Sequence, residues 1–267
     1  MPFLIGGHRY LFKHAAQNYP TQFWCEVIAY RIGCLMGIPV PPAYAAWRAG
    51  DQKSAALIEW FYRQDEGVCY ESGTVHMQRL IPDFDVKKGR QHNIETVLAI
   101  LAEMDARLIQ DMVRILVFDA LIGNTDRHQE NWGILWRGTP VRPELAPAFD
   151  NGTSLGYEMT DDGIAQFMAN PVEQTERYID RGRHHMRWNP TGAKYGHFEL
   201  VAYLLAKYPE FRQNIADCLS FDRNVLYAWM HLLPRFPVPA APTPVRIQWI
   251  ERLLQLRMKR LHSVLDM

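Results

Sequence analysis

The sequence predicts an α+β protein of two unlike lobes, a small β-rich one over residues 1–65 and a larger helical one over residues 66–267. Three observations carry that expectation. Short runs of aromatic and β-branched residues around turn signals occupy the N-terminal part. From Asn93 onward apolar residues recur at helical spacing. Within that helical part, "LIGNTDRHQENWGIL" (residues 121–135) sets a carboxylate, an imidazole and carboxamides between two apolar runs. Two lobes of unlike composition commonly hold a ligand between them.

The elements follow in order. "FLIGGHRYLFKHA" reads as two short strands about a Gly-Gly turn, with Lys13 closing the second. Pro20 and Thr21 then start a helix whose Trp24, Ile28, Ile32 and Leu35 share one face, with Glu26 off that stripe, until Gly37 and Pro39 stop it. After a proline-rich connection, "AALIEWFY" (residues 55–62) is a near-continuous apolar run broken by Glu59, as a buried strand would be. Asn93 caps the next predicted helix, and residues 106–123 are apolar nearly all round, which suits a central helix. "WGILW", "RGTP" and "ELAPAFDNG" predict a hairpin whose second arm delivers Asp150. Further helices are expected at 198–208, 221–233 and 245–265, the last after a stiff extended connector at 234–244. No internal repeat is visible.

Composition excludes several classes. A chain of 267 residues with 48% apolar and 22% charged residues can bury a sizeable core and is not disordered. Lys and Arg number 29 against 29 Asp and Glu, so no global field favours nucleic acid or an anionic membrane. One local exception is residues 177–197, where Arg177, Arg181, Arg183, Arg187 and Lys194 face Asp180 alone. That segment reads either as a solvated face or as a contact for an acidic substrate, tRNA or a lipid headgroup. Cys25, Cys34, Cys69 and Cys218 lack zinc-site spacing and read as free thiols of a reducing compartment. With neither a signal peptide nor about 18 uncharged apolar residues in a row, the expectation is a cytoplasmic protein without a transmembrane segment, though an exported effector would look the same. His184-His185 reads as surface, and Trp24, Trp60 and Trp132 as packing residues.

Asp126, Asn131 and Asp150 form the constellation that carries chemistry. Phosphoryl transfer needs a divalent cation held by hard oxygen ligands, and Mg²⁺ takes only one or two protein carboxylates with a carbonyl oxygen. Asn131 and Asp150 suit that role, and Asp126, five residues before Asn131, has the spacing of a catalytic carboxylate that receives the acceptor's proton. A strand lysine for phosphate oxygens and a helix glutamate to pair with it complete the set, and Lys13 and Glu26 stand in the right order on the right elements. Each residue has a plainer alternative: Asp126 as a turn cap, His128 as a brace of the loop, Lys13 as a solvated strand end, Glu26 as an exposed helix residue.

"GNTDRHQENWGIL" followed by "LAPAFDNG" resembles the catalytic and metal-binding loops of the HipA-like Ser/Thr kinases, and "CEVIAYRIGCLMGIPVP" resembles the glutamate-bearing helix of that family. "LIEWF" is similar to its hinge strand. The resemblance implies a bilobal protein-kinase-like fold, ATP and Mg²⁺ as cofactors, and a protein Ser or Thr hydroxyl as acceptor. By position it implies Asp126 as catalytic base, Asn131 and Asp150 as Mg²⁺ ligands, Lys13 and Glu26 at the phosphates, and the backbone of Glu59 and Phe61 at the adenine. The "DRHxxN" core is shared with phosphoinositide kinases, which keeps a lipid or small-molecule acceptor open. The family's phosphate-covering loop has Gly6-Gly7 as its sole candidate here, and neither a Walker A pattern nor GxGxxG occurs. A pseudokinase acting as a binding module is the remaining alternative.

Overall fold

The computed structural model describes residues 8–267, so the Gly6-Gly7 turn and the strand expected before it lie outside the described residues. The first sheet is antiparallel in the order β1-β3-β2, built from β1 (Tyr10–His14), β2 (Ala43–Arg48) and β3 (Lys53–Glu59). Register sets Lys13 opposite Ala56 and Tyr10 opposite Glu59. Ala55 and Ala56 are fully buried, and their small side chains let α1 (Phe23–Met36) lie close on the sheet.

That helix is more buried than its stripe predicts. Every residue from Phe23 to Ala29 is buried, because α1 is covered by the sheet and also by α8 (Arg212–Leu219) and α9 (Arg223–Met230). Glu26 is therefore not an exposed helix glutamate; it is 3% exposed, and a buried carboxylate needs a partner. The proline-rich connection before β3 is itself partly strand, since β2 runs through "AYAAWR".

A second antiparallel sheet, β4-β5-β6, holds β4 (Cys69–Ser72), β5 (Gly133–Arg137) and β6 (Arg142–Leu145). The expected hairpin is β5–β6, but Asp150 lies beyond its second arm, in the loop after β6. Asp150 and Leu155 both take left-handed backbone angles, φ 56°, so this loop is tightly turned. Short helices α2 (Gly73–Leu80), α5 (Asp161–Ala169) and α6 (Val172–Arg181) lie outside the expected set, each too brief for a helical period to stand out.

The helical core surrounds α4 (Arg107–Ile122), which packs against α3 (Ile94–Met104), α7 (His197–Lys207) and α10 (Pro244–Leu265). Met112, Val113, Val117 and Phe118 have no exposed surface. Asn93 caps α3 as expected, its side chain accepting from Thr96 N at 2.9 Å. Thr243 and Pro244 start α10, which packs on the helical core as expected. Residues 234–244 are not an extended rod. Leu233–Arg235 forms a tight 3₁₀ turn, and Trp24 draws the following chain onto α1 by donating to Ala240 O at 2.8 Å.

The basic segment folds as the end of α6 and a two-stranded ribbon, β7 (Arg183–Arg187) with β8 (Lys194–Gly196). Strand alternation turns His184 and Met186 inward, so His184 is fully buried rather than at the surface. Trp24 and Trp132 are packing residues as expected, whereas Trp60 is 39% exposed. Leu116 sits in the centre of α4, 1% exposed. Leu116→Ala is expected to cost about 2–5 kcal/mol, read as a lower urea midpoint with an unchanged slope.

Candidate active site

Three of the expected residues, Lys13, Glu26 and Asp150, meet where the first sheet faces the loop after β6. Lys13 Nζ donates to Glu26 Oε1 at 2.6 Å and also to Asp150 Oδ1, so one ammonium joins strand, helix and loop. Glu26 holds the same loop with its other oxygen, accepting from Asn151 N at 3.1 Å. Gln22, before α1, adds a bond from Nε2 to Gly152 O at 3.2 Å. Burial would pull the Lys13 pKa down, and the carboxylates of Glu26 and Asp150 outweigh it, so the amine stays charged with its pKa above the ordinary value.

Asp126 and Asn131 lie on the turn that follows α4. Asp126 N donates to Asn124 Oδ1 at 3.0 Å, and Asn131 Nδ2 donates to Asp126 O at 2.8 Å. The carboxylate of Asp126 is thus not spent capping the turn, which Asn124 does instead. Asn131 Oδ1 and Asp150 Oδ2 accept no hydrogen bond among the described residues, which leaves two hard oxygens suited to a divalent cation. Burial pushes the Asp126 pKa up and Asp150 adds to it, while His128 and Lys194 act against them. His128 Nδ1 accepts from Glu130 N at 3.1 Å, the bracing bond expected of it.

A third residue organises both loops. Arg127, with no exposed surface, forms a bidentate pair with Asp119 of α4, Nη2 to Oδ1 at 2.7 Å and Nε to Oδ2 at 3.0 Å. Its remaining donors reach Asn131 O at 3.0 Å, Asn151 Oδ1 at 2.9 Å and Phe149 O. Asn124 and His184 also meet Asp119, at 3.1 and 3.4 Å. Burial alone would raise the Asp119 pKa, yet Arg127 and His184 hold it down to about 2. Sequence reading passed over Arg127 and Asp119. The available signal was one carboxylate inside the otherwise apolar "ILVFDALIG", since such a charge demands a buried partner.

Beside Lys13 and Asp150 opens a cavity of about 360 Å³. Its walls include Ile58, Trp60, Phe61, Tyr70 and Phe149, with Phe61 and Phe149 stacked at 5.0 Å between centroids. Glu59 N donates to Pro42 O at 2.8 Å. Pro42, opposite Glu59 by register, has no N–H to return that bond, which leaves the Glu59 carbonyl without its sheet partner. Phe61 N–H likewise has no acceptor among the described residues. Trp60 is therefore a cavity wall and not core, a correction to its expected packing role.

The family model of the HipA-like C-terminal domain matches residues 5–220. The chain belongs to that family. It is 29% identical over 171 residues to Y4dM of Sinorhizobium fredii, covering 60% of this chain and 41% of Y4dM. It is 37% identical over 65 residues to the serine/threonine-protein kinase CtkA of Helicobacter pylori, covering 24% of this chain and 20% of CtkA. The aligned stretches thus span less than half of either relative. The crystal structure of the H. pylori proinflammatory kinase CtkA superposes with a TM-score of 0.77 at 17% identity, covering 98% of this chain and 88% of that one. HipA of Shewanella oneidensis MR-1, solved with HipB and operator DNA, gives 0.57 at 15% identity, covering 97% and 59%. At such identities the likeness is one of fold, and the α+β fold of this HipA-like domain is that of CtkA and HipA.

Asp119→Asn keeps the shape but leaves a buried guanidinium unbalanced, with an expected loss of about 3–5 kcal/mol in urea unfolding at neutral pH. Because the folded pKa of Asp119 is depressed, its contribution is complete above about pH 4 and is lost as pH falls through about 2. Stability measured from pH 5 downward should therefore fall more steeply in the wild type than in Asp119→Asn.

Proposed function

We propose that this chain is an ATP- and Mg²⁺-dependent kinase that transfers the γ-phosphoryl group to a protein Ser or Thr hydroxyl. Residues 1–65 serve as its small lobe and 66–267 as its large one. The observation that carries the reading is Lys13 held at once by Glu26 and Asp150, at the mouth of an apolar cavity with two unpaired main-chain groups. Membership of the HipA-like family supports the same class.

In this reading the Glu59 carbonyl and the Phe61 N–H meet the adenine edge, and the aromatic walls cover its faces. Lys13, kept charged and aimed by Glu26, holds phosphate oxygens. Asn131 Oδ1 and the free oxygen of Asp150 would hold Mg²⁺, which when bound would supply positive charge beside the phosphates. Asp126 orients the acceptor hydroxyl and takes its proton as the oxygen attacks phosphorus. Burial raises its pKa, which makes it a better base than a solvated carboxylate. His128 supports the loop without touching substrate. No helix among the described residues is long and apolar enough to cross a membrane, which accords with a protein acting in the cytoplasm.

Radiolabelled ATP with cell lysate should label protein, and Asp126→Asn should cut the rate by about 10²–10⁴-fold. Asp150→Asn should abolish both transfer and the Mg²⁺-dependent rise in melting temperature with ATP. Undiminished transfer in either variant sinks the assignment, label in a lipid extract alone redirects it to a phosphoinositide-type acceptor, and absence of any ATP stabilisation favours a binding module. The rate should also rise with pH through a carboxylate pKa above the ordinary value of about 3.9, since Asp126 must be ionised to accept the proton.

A further inference from the structure

A second cavity, of about 460 Å³, lies beside the loop that bears Asp126, lined by Thr125, Thr153, Tyr157, Arg181 and Arg257 among others. Thr125 is the residue before Asp126. Its N–H donates to Thr153 O at 3.4 Å, so this wall of the cavity is continuous with the loop that bears Asp126.

Arg257 of α10 is the unusual group here. It is 5% exposed, and its Nη1 donates to Ala120 O, in the last turn of α4, at 3.0 Å. Gly123, at φ 71°, makes room for the guanidinium, since a Cβ there would stand 2.6 Å from Nη2. Phe198 lies 5.9 Å beneath the charge. Among the described residues Arg257 forms no ion pair, whereas the other buried guanidiniums do: Arg127 with Asp119 at 2.7 Å and Arg246 with Asp161 at 3.0 Å. Its Nε and Nη2 carry no hydrogen bond among the described residues. Burial pulls its pKa down to about 10, so it remains a cation at neutral pH.

A buried cation without a counter-ion is costly, and the carbonyl end of α4 offsets only part of that cost. Arg181, exposed at the rim, is also without an ion pair or hydrogen bond among the described residues. Glu158 lines the cavity too, but its Oε1 is occupied by the Tyr178 hydroxyl at 2.5 Å, and two guanidiniums against one carboxylate leave the space positive.

We propose that this cavity is an anion subsite that takes a phosphate or carboxylate carried on a polypeptide beside its acceptor Ser or Thr. Planar guanidiniums bind either oxyanion with paired hydrogen bonds. The placement rests on the phosphotransfer reading of Asp126; binding of the anion does not.

Fluorescent peptides with a central Ser and a neighbouring phosphoserine, Glu or Gln test it by anisotropy. Wild type should bind a charged peptide at least tenfold more tightly than the Gln peptide, with an advantage that shrinks as salt rises. Arg181→Gln and Arg257→Gln should lose most of that advantage while keeping Mg²⁺-dependent stabilisation by ATP. Phosphoserine against Glu tells which oxyanion the site takes. Equal or undetectable binding of the three peptides overturns the proposal, as does an undiminished advantage in Arg181→Gln, an exposed substitution that does not put folding at stake. Failure of the kinase reading shows separately, as absent ATP stabilisation and absent label transfer with the peptide preference intact.

Discussion

Everything at the candidate site depends on one buried ion pair. Arg127 is enclosed and permanently charged, so its donors must all be satisfied within the protein. Asp119 takes two of them from a rigid helix, and the carbonyls of Asn131 and Phe149 with the Asn151 amide take the rest. The cation thereby fixes the spacing of the loop bearing Asp126 and Asn131 against the loop bearing Asp150. Neither loop has regular structure to hold it, and both borrow the rigidity of α4. The Lys13 bridge does the equivalent from the other side, tying the second loop to the sheet and to α1.

The two fixings differ in kind. Arg127 sits in a dry interior where a lost partner cannot be replaced by water, which makes the arrangement of the two loops a property of the folded chain. Lys13 is partly open to solvent, 32% exposed at its side chain, and faces the cavity that we propose for ATP. A phosphate arriving there competes for an ammonium already shared by two carboxylates. The loops are set before a ligand comes, and the lysine is the part free to change partners.

The outline of the fold was legible because long periodic elements announce themselves: α1, α3, α4, α7 and α10 all fall near their expected positions. Lys13, Glu26, Asp126, Asn131 and Asp150 were named because phosphoryl-transfer chemistry needs those side chains in that order, and the geometry brings Lys13, Glu26 and Asp150 into contact. What stayed hidden is what needs tertiary knowledge. Local pattern cannot say that α1 is covered on two sides, so the burial of Glu26 was not legible even though its pairing with Lys13 was expected. His184 looked solvated, because a five-residue strand gives too short an alternation to trust beside exposed arginines. Arg127 was overlooked because its neighbours Asp126 and His128 are the groups with evident chemistry.

Pro42 is assigned no role in transfer, yet by lacking a hydrogen it leaves the Glu59 carbonyl open at the cavity. The proposed adenine contact is therefore specified by an omission on a neighbouring strand. Because the acceptor is main chain, changes to the Glu59 side chain leave it in place. A mutation that closes it would fall at a proline that a survey of ligand contacts passes over, and it would work by letting the sheet complete itself. Ligand choice and sheet pairing are here two outcomes of one hydrogen bond, and the sheet gives up a rung so that something else can use it.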